Sequence, residues 1–418
     1  MRDVVLINIT GRDRKGLVAK FTSILAEYDV NILDIGEAVI HEHISFGILA
    51  GIPKPDDFSS IFKDMLYEGH NMGLQVDIKS VDGDNYENWV QAQGKERRII
   101  TLLGRTVSAQ QISAAASIIS ENRLNIDNIT RLTGRTSLKQ EMTMPKKACI
   151  QLSVSGTPVT IPDMRRRFME ISQEHGIDIS FHVDNIYRKN RKLIVFDMDS
   201  TLIQGEVIVE LAKLSGAGDA VDRITASTMR GEIGFKESFR QRVALLKGIR
   251  EEDLDKVSEN LPLTDGVDLV AKTLKGLGYK LGILSGGFTF IGKYLQNRLG
   301  FDYMFANELD IEGGVVTGKL KGDIVDGEKK AVLLRQIAQR ENIALEQTIA
   351  VGDGANDLPM ISIAGLGVAF NAKPLVRSKT ANMISSVGLD GLLYLIGIHE
   401  REIRQEVKEI ANHSYETR

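Results

Sequence analysis

Four short motifs in the second half of this chain carry side chains able to bind or transfer an oxyanion. Asp197-Met198-Asp199-Ser200-Thr201-Leu202 directly follows the apolar run Leu193-Ile194-Val195-Phe196. Two carboxylates two residues apart at a strand tip repel each other unless a cation, or an anionic substrate with its metal, joins them. Asp-x-Asp-Ser also suits a turn or a helix cap, for which one Asp is enough. Ser285-Gly286-Gly287-Phe288 follows Lys280-Leu281-Gly282-Ile283-Leu284. Small residues there let backbone amides approach an oxyanion and the hydroxyl adds a donor, although Ser-Gly-Gly is also a common loop. Lys330 heads the amphipathic stretch Ala331–Arg340, where it opposes the helix dipole. A nearby anion would rationalise it, and so would simple surface solubility. Asp353-Gly354-Ala355-Asn356-Asp357 follows Thr348-Ile349-Ala350-Val351-Gly352, again carboxylates at a strand tip, with glycines that free the backbone for tight turns.

These tips need a scaffold. From Leu193 onward, apolar runs alternate with helical patterns, which predicts a doubly wound, Rossmann-like parallel sheet with helices on both faces. Ligands in such sheets bind beyond the carboxyl ends of the strands, where the motifs lie. Gly205–Lys280 is too long for a simple crossover and carries several helical patterns, so it reads as a helical cap over about 205–280 that closes on the site and excludes water. The first 190 residues hold a weak repeat instead. Strand-like Val4–Ile9, a glycine turn, helical Leu17–Glu27 and strand-like Val30–Ile35 recur as Arg98–Leu103, Gly104, Ile112–Ser120 and Leu124–Ile129. Each copy continues into a strand, a helix and a last strand: Ile44–Gly51, Phe58–Tyr67 and Gly73–Ser80, then Ala148–Ser155, Asp163–Glu174 and Ile177–Asp184. That βαββαβ order predicts two α+β ferredoxin-like domains, 1–90 and 91–187, ahead of the third at 188–418. The basic run Arg188-Lys189-Asn190-Arg191-Lys192 reads as a solvated linker between them.

Composition narrows the classes. The chain has 418 residues, 43% apolar and 26% charged, with 52 Lys+Arg against 56 Asp+Glu, a net charge of −4. Such a balance fits ordinary globular domains and argues against a strongly basic nucleic-acid binder. The single thiol, Cys149, cannot form an intrachain disulfide, no run is apolar and long enough to span a membrane, and the N-terminus lacks a signal-peptide pattern. A cytoplasmic location is the expectation. The segment from His399 to Arg418, rich in Glu, Arg and Lys, reads as a solvated terminal helix.

Taken together, the order Asp-x-Asp-x-Thr, Ser-Gly, Lys, Gly-Asp-Gly-x-Asn-Asp resembles the haloacid dehalogenase superfamily of phosphotransferases. The resemblance covers Leu193 to roughly Ile396. It implies that Asp197 is a nucleophile, that Asp199 is the acid and base, and that Asp197, the main-chain carbonyl of Asp199 and Asp353 hold Mg2+. It further implies that Ser285, the Gly286 amide, Lys330 and Asn356 hold the phosphoryl oxygens, and that Asp357 orients Lys330 or a metal-bound water from behind. Within the cap, Gln204-Gly205-Glu206, Met229-Arg230-Gly231, Phe235 and Arg240-Gln241-Arg242-Val243 resemble the phosphoserine phosphatase branch, as do Ser285-Gly286-Gly287-Phe288 and Ala369-Phe370-Asn371-Ala372-Lys373-Pro374. On that likeness Glu206 pairs with a substrate ammonium, Arg242 clamps its carboxylate, and Met229 and Phe235 form an apolar wall. The same residues also suit a cap's own surface and core. The repeats resemble tandem ACT domains, small modules that bind amino acids, through the glycine turn followed by Asn31-Ile32-Leu33-Asp34-Ile35 or Asn125-Ile126-Asp127-Asn128-Ile129. This implies an amino-acid effector, plausibly serine, and a homodimer. Alternatives are a phosphatase or phosphotransferase acting on phosphohomoserine or a related metabolite, and a non-catalytic amino-acid sensor.

Overall fold

The computed structural model describes residues 3–91, 94–135, 147–230 and 232–403. The chain divides into two compact units, Met1–Lys95 and Glu96–Arg418. In the first, β1 (Asp3–Arg12), α1 (Leu17–Glu27), β2 (Asn31–Ile40), β3 (His43–Ile52), α2 (Phe58–Asn71) and β4 (Gln75–Val81) form an antiparallel sheet in the order β2-β3-β1-β4, followed by α3 (Gly83–Gln91). Leu17, Phe21, Ile24 and Leu25 of α1 and Ile61 and Met65 of α2 bury on alternate residues of β1 and β3, which is why the helical and strand periodicities were legible. The short helix α3 has no counterpart among the expected elements.

The second unit opens with the same order: β5 (Arg97–Gly104), α4 (Ala109–Glu121), β6 (Asn125–Arg131), β7 (Ala148–Ser155), α5 (Ile161–His175) and β8 (Asp178–Val183), paired as β6-β7-β5-β8. Ser108 caps α4 by accepting from the Gln111 amide, and the Gln111 side chain accepts from Ser108 N in return.

This repeat is not tethered by a free linker. Arg188 and Arg191 are 9% and 7% exposed, correcting the solvated reading of that run. Arg188 donates to Gln151 of β7 at 2.9 Å, and Arg191 donates to the carbonyls of Glu346 and Thr348. Asp178 on β8 accepts from the amides and hydroxyls of both Ser385 and Ser386 at 2.6–2.8 Å. Leu103, Leu132 and Cys149 extend into the large core of the domain that follows.

That domain is built on β9 (Leu193–Phe196). The chain then forms the cap helices α6 (Val207–Leu214), α7 (Gly218–Met229), α8 (Phe235–Ala244) and α9 (Glu251–Asn260), and returns through α10 (Val267–Gly276), which packs on the sheet. There follow β10 (Lys280–Phe288), α11 (Thr289–Leu299), β11 (Tyr303–Glu312), β12 (Val315–Lys321), α12 (Gly327–Arg340), β13 (Thr348–Gly352), α13 (Leu358–Ile363), β14 (Leu366–Phe370), α14 (Pro374–Lys379), β15 (Met383–Ile384) and α15 (Gly391–Leu395). Strand order is β12-β11-β10-β9-β13-β14-β15, parallel except for the edge hairpin β11-β12. The hairpin braces the cap: Gly248 N donates to Val316 O, and Arg250 bridges to Val315. Strand order reverses at β9, between β10 and β13, the crevice where such sheets bind ligands. Most of the expected terminal helix, residues 404–418, lies outside the described residues.

Candidate active site

Every residue of β9 is buried, and the chain leaves the sheet at Asp197, whose amide donates to Val351 O of β13. Asp197 and the tip of β13 are thereby fastened side by side. Asp353 follows β13 directly, and a short turn over Ala355–Asp357 brings Asp357 back beneath it. Carboxylate oxygens of Asp197, Asp353 and Asp357 can all lie within 4.8 Å of one another. Lys330, in the first turn of α12, is wholly buried and donates at 2.7 Å to both Asp197 Oδ1 and Asp357 Oδ1. Surface solubility is therefore not its role.

Asp199 completes the acidic set by another route. Its Oδ1 accepts from Val207 N at the start of the cap at 2.8 Å, and its Oδ2 faces Gly287. A Cβ on Gly287 would sit 2.4 Å from that oxygen. Gly352 is constrained in the same way, since its Cβ would fall 2.4 Å from Asp357 Cγ. Neither has a positive φ, so close approach of the carboxylates demands glycine here, rather than the backbone freedom read from sequence at Gly352 or the oxyanion approach read at Gly287.

The electrostatics follow from four carboxylates facing one ammonium. Burial pushes Asp199 up to about 6 and Asp353 up to about 7, the latter helped by the Asp357 charge. Burial raises Asp197 as well, with Asp357 adding and Lys330 opposing. For Lys330 burial acts to lower the pKa, but Asp197 and Asp357 overcome it and hold the ammonium above its ordinary value. Three buried or half-buried carboxylates with hard oxygen donors fit a divalent cation such as Mg2+, which would offset the surplus charge.

Ser285 is fully buried, and its Oγ accepts from Gly287 N at 2.8 Å, curling Ser-Gly-Gly around its own hydroxyl. The Gly286 carbonyl accepts from Asn307 Nδ2 at 2.8 Å, while Asn307 Oδ1 accepts from Val325 N just before α12. Asn307 thus ties the Ser285–Gly287 segment of β10 to the loop that delivers Lys330. Sequence reasoning missed it, because a single Asn on β11 carries no motif.

Over these groups lies a cleft of about 720 Å³ lined by Asp197, Asp199, Glu206, Phe235, Arg242, Gly286, Asp353 and Asn356, among others. Ser285, Lys330 and Asp357 are fully buried and are not among its lining residues. Phe235, Phe239 and Phe288 stack in series with centroids 6.0 and 5.8 Å apart, making an apolar side of which only Phe235 was expected. The i, i+4 spacing of Phe235 and Phe239 is the signal that could have found the second ring. Met229 ends α7, and its side chain lies outside the described residues. Arg242 is 8% exposed, its guanidinium 5.7 Å from the Phe239 ring, and its Nε is buried without a hydrogen-bond partner. Burial lowers its pKa, against which the Glu206 and Asp199 charges act. Glu206 is half-exposed and 4.0 Å from Lys373, a further cation on the cleft wall. Lys236 of cap helix α8 lies 2.9 Å from Asp326, the residue that caps α12.

Residues 194–362 match the family of haloacid dehalogenase-like hydrolases, and residues 3–79 match the ACT domain. Over 400 residues, 96% of this chain, the sequence is 39% identical to a phosphoserine phosphatase of Streptomyces coelicolor, of which it covers 93%. It is 36% identical over 400 residues to phosphoserine phosphatase SerB2 of Mycobacterium tuberculosis, covering 94% of that chain. Among solved structures, a HAD family hydrolase from Salmonella enterica serovar Typhi superposes with a TM-score of 0.60 at 31% identity, covering 72% of this chain and 99% of that one. A probable phosphoserine phosphatase from Vibrio cholerae gives 0.56 at 30% identity over 76% and 90%.

Proposed function

Because the chain belongs to the phosphoserine phosphatase family of haloacid dehalogenase-like hydrolases, we propose that it hydrolyses O-phospho-L-serine to L-serine and phosphate, the last step of serine synthesis, through a phosphorylated Asp197. The observation that carries this reading is that one cleft is lined by Asp197 and Asp199 and also by Arg242 and Glu206. A phosphate ester placed at the aspartates would then have a guanidinium fork for a carboxylate and a carboxylate for an ammonium within the same cleft.

Asp197 attacks phosphorus, the ester P–O bond breaks, and Asp199, whose pKa burial lifts to about 6 and so brings within reach of proton exchange near neutrality, gives its proton to the departing serine alkoxide. Asp199 then takes a proton from water as that water attacks phosphorus, and the P–O bond to Asp197 breaks to restore the carboxylate. Lys330, Ser285 Oγ, the Gly286 amide and Asn356 hold the equatorial oxygens while charge shifts among them. Asp357 keeps Lys330 aimed. Asp197, Asp353 and the Asp199 carbonyl would hold Mg2+, which supplies positive charge to the phosphoryl group. Glu206 receives the substrate ammonium, and the phenylalanine stack excludes water behind it.

The ferredoxin-like modules at 1–90 and 91–187 act as amino-acid sensors and as a homodimer surface. Support for pairing comes from β2, a ten-residue edge strand that exposes Ile32, Ile35, Val39 and Ile40. No helix among the described residues is long and apolar enough to cross a membrane, and a cytoplasmic enzyme is the reading adopted. Phosphate release from L-phosphoserine with and without Mg2+ tests the proposal: metal-dependent turnover lost in Asp197→Asn is expected. Full turnover in that variant refutes the nucleophile assignment, and an untouched phosphoserine beside hydrolysed aryl phosphate refutes the substrate.

A further inference from the structure

A second cavity, of about 580 Å³, lies where the second repeat meets the phosphatase domain, away from the catalytic carboxylates. Its walls come from both sides. The turn after β5 supplies Arg105 and Thr106, α4 supplies Gln111, and the end of α5 supplies His175; the phosphatase domain supplies Arg377 and Ser386. The size is that of small-molecule sites, which usually span about 300–1,000 Å³.

The lining has a one-sided chemistry. Two guanidinium groups, an imidazole, hydroxyls and side-chain amides surround it, and none of its lining residues is an Asp or Glu, in a chain that carries more acidic than basic residues. Arg105 is exposed and makes no ion pair or hydrogen bond among the described residues. Arg377 is held by a single bond, from its Nε to Ala372 O at 2.6 Å, which fixes the guanidinium plane without neutralising it. The adjoining carboxylate, Asp178, already accepts from Ser385 and Ser386. Arg105 and Arg377 both line the cavity and neither forms an ion pair among the described residues, so their guanidinium forks suit the planar two-oxygen face of a carboxylate or the oxygens of a phosphate.

The place of Arg377 in the fold links this cavity to the catalytic one. It lies on α14, whose two preceding residues, Leu375 and Val376, line the catalytic cleft, and Lys373, next to the Glu206 carboxylate, immediately precedes the helix. The amide of Lys373 in turn donates to Asp353 O at 3.2 Å. A six-residue helix cannot shift one side without moving the other.

We propose that this cavity binds a small oxyanion, a carboxylate- or phosphate-bearing metabolite gripped between Arg105 and Arg377, and that occupancy acts on the catalytic cleft through α14. The first half is tested on the full chain by following the rate of phenylglyoxal modification of each arginine by mass spectrometry, with L-serine, malonate or inorganic phosphate added. The probe that binds slows Arg105 and Arg377 together, about fivefold at four times its Kd, and the three probes separate a carboxylate source from a phosphate source. In Arg105→Gln, checked against Arg105→Glu for folding by circular dichroism, the same probe no longer protects Arg377. If no probe slows both arginines at about a thousandfold excess over protein, or if Arg377 stays protected without Arg105, there is no such site. For the second half, KM for phosphoserine, or for an aryl phosphate, is measured with the protecting anion. Because serine and phosphate are also the products and compete in the catalytic cleft, only the part of the KM shift that Arg105→Gln removes counts: a loss of at least about twofold is expected, and a shift unchanged in that variant, or protection without any shift, overturns the action through α14. The modification assay needs no turnover, so its failure is distinct from failure of the substrate assignment.

Discussion

Replacing Lys330 by Met isolates the central electrostatic feature of the site. The side chain is wholly buried and reaches two carboxylates at 2.7 Å each, Asp357 being wholly buried too. At an effective dielectric constant of about 20, each contact is worth a gross attraction of about 6 kcal/mol. Desolvation of the three groups offsets most of that, and removing one partner of a buried pair leaves a net cost of about 3–5 kcal/mol, because the carboxylates stay buried without a counter-charge. Met fills nearly the same volume, so the loss is one of charge rather than packing. Urea unfolding in chelator, followed by circular dichroism, should show the Lys330→Met chain weaker by that amount. Fluorescence would not serve, since the only tryptophan, Trp89, sits in the first unit. Adding Asp357→Asn removes one stranded charge and should return at least about 1 kcal/mol. Turnover falls about 10²- to 10³-fold in kcat, the usual effect of deleting one oxyanion-stabilising donor. A Lys330→Met chain as stable as the parent within about 0.5 kcal/mol, or a double variant no better than the single, would refute the account of a carboxylate pair held together by Lys330.

Other expectations follow from single geometries. Arg242→Lys keeps the charge but loses the planar fork, so KM for phosphoserine should rise about 10- to 100-fold while aryl-phosphate hydrolysis changes little; equal effects on both substrates would remove Arg242 from carboxylate recognition. His182 is held neutral at about 3 by burial and by Arg188 and Arg191, with Asn382 opposing. Its folded pKa lies below the unfolded value, so the unfolded chain binds the extra proton, and stability should decline as pH falls below about 6.5, by about 2 kcal/mol at pH 5. His182→Asn should flatten that slope, and an unchanged slope assigns the acid sensitivity elsewhere. Asp178→Ala strips the acceptor from four bonds to Ser385 and Ser386 and should cost about 2–4 kcal/mol, read as faster proteolysis between the second repeat and the sheet domain; unaltered cleavage would show that the apolar contacts suffice.

Much of the architecture is written in local pattern. Apolar runs such as Leu193–Phe196 and Thr348–Val351 can only be buried strands of a covered sheet, so the polar residues that end them must emerge at one rim. The two ferredoxin-like repeats were legible for the same reason, strand and helix periods alternating in the same order twice. Asp197, Asp199 and Asp353 were found because they follow directly on a strand, and Ser285 because it follows the apolar run Lys280–Leu284, although β10 continues through it to Phe288 with a register shift after Leu284.

Other features depend on residues far apart in the chain meeting. Nothing near Arg188 or Arg191 shows that they lie buried under Gln151 and the Glu346 and Thr348 carbonyls, because a basic run looks solvated until a partner surface covers it. Asn307 acquires its importance from Gly286 and Val325, and Asp178 from two serines more than 200 residues away. The sequence by itself determined which elements form and at which rim their chemistry emerges, since hydrophobic period and strand-tip placement are local properties. Tertiary structure alone decided that Lys330 is an internal counter-charge, that Gly287 and Gly352 are there to let carboxylates approach, and that a charged cavity opens between repeat and catalytic domain, because burial and charge compensation are set by whatever surface folding brings alongside.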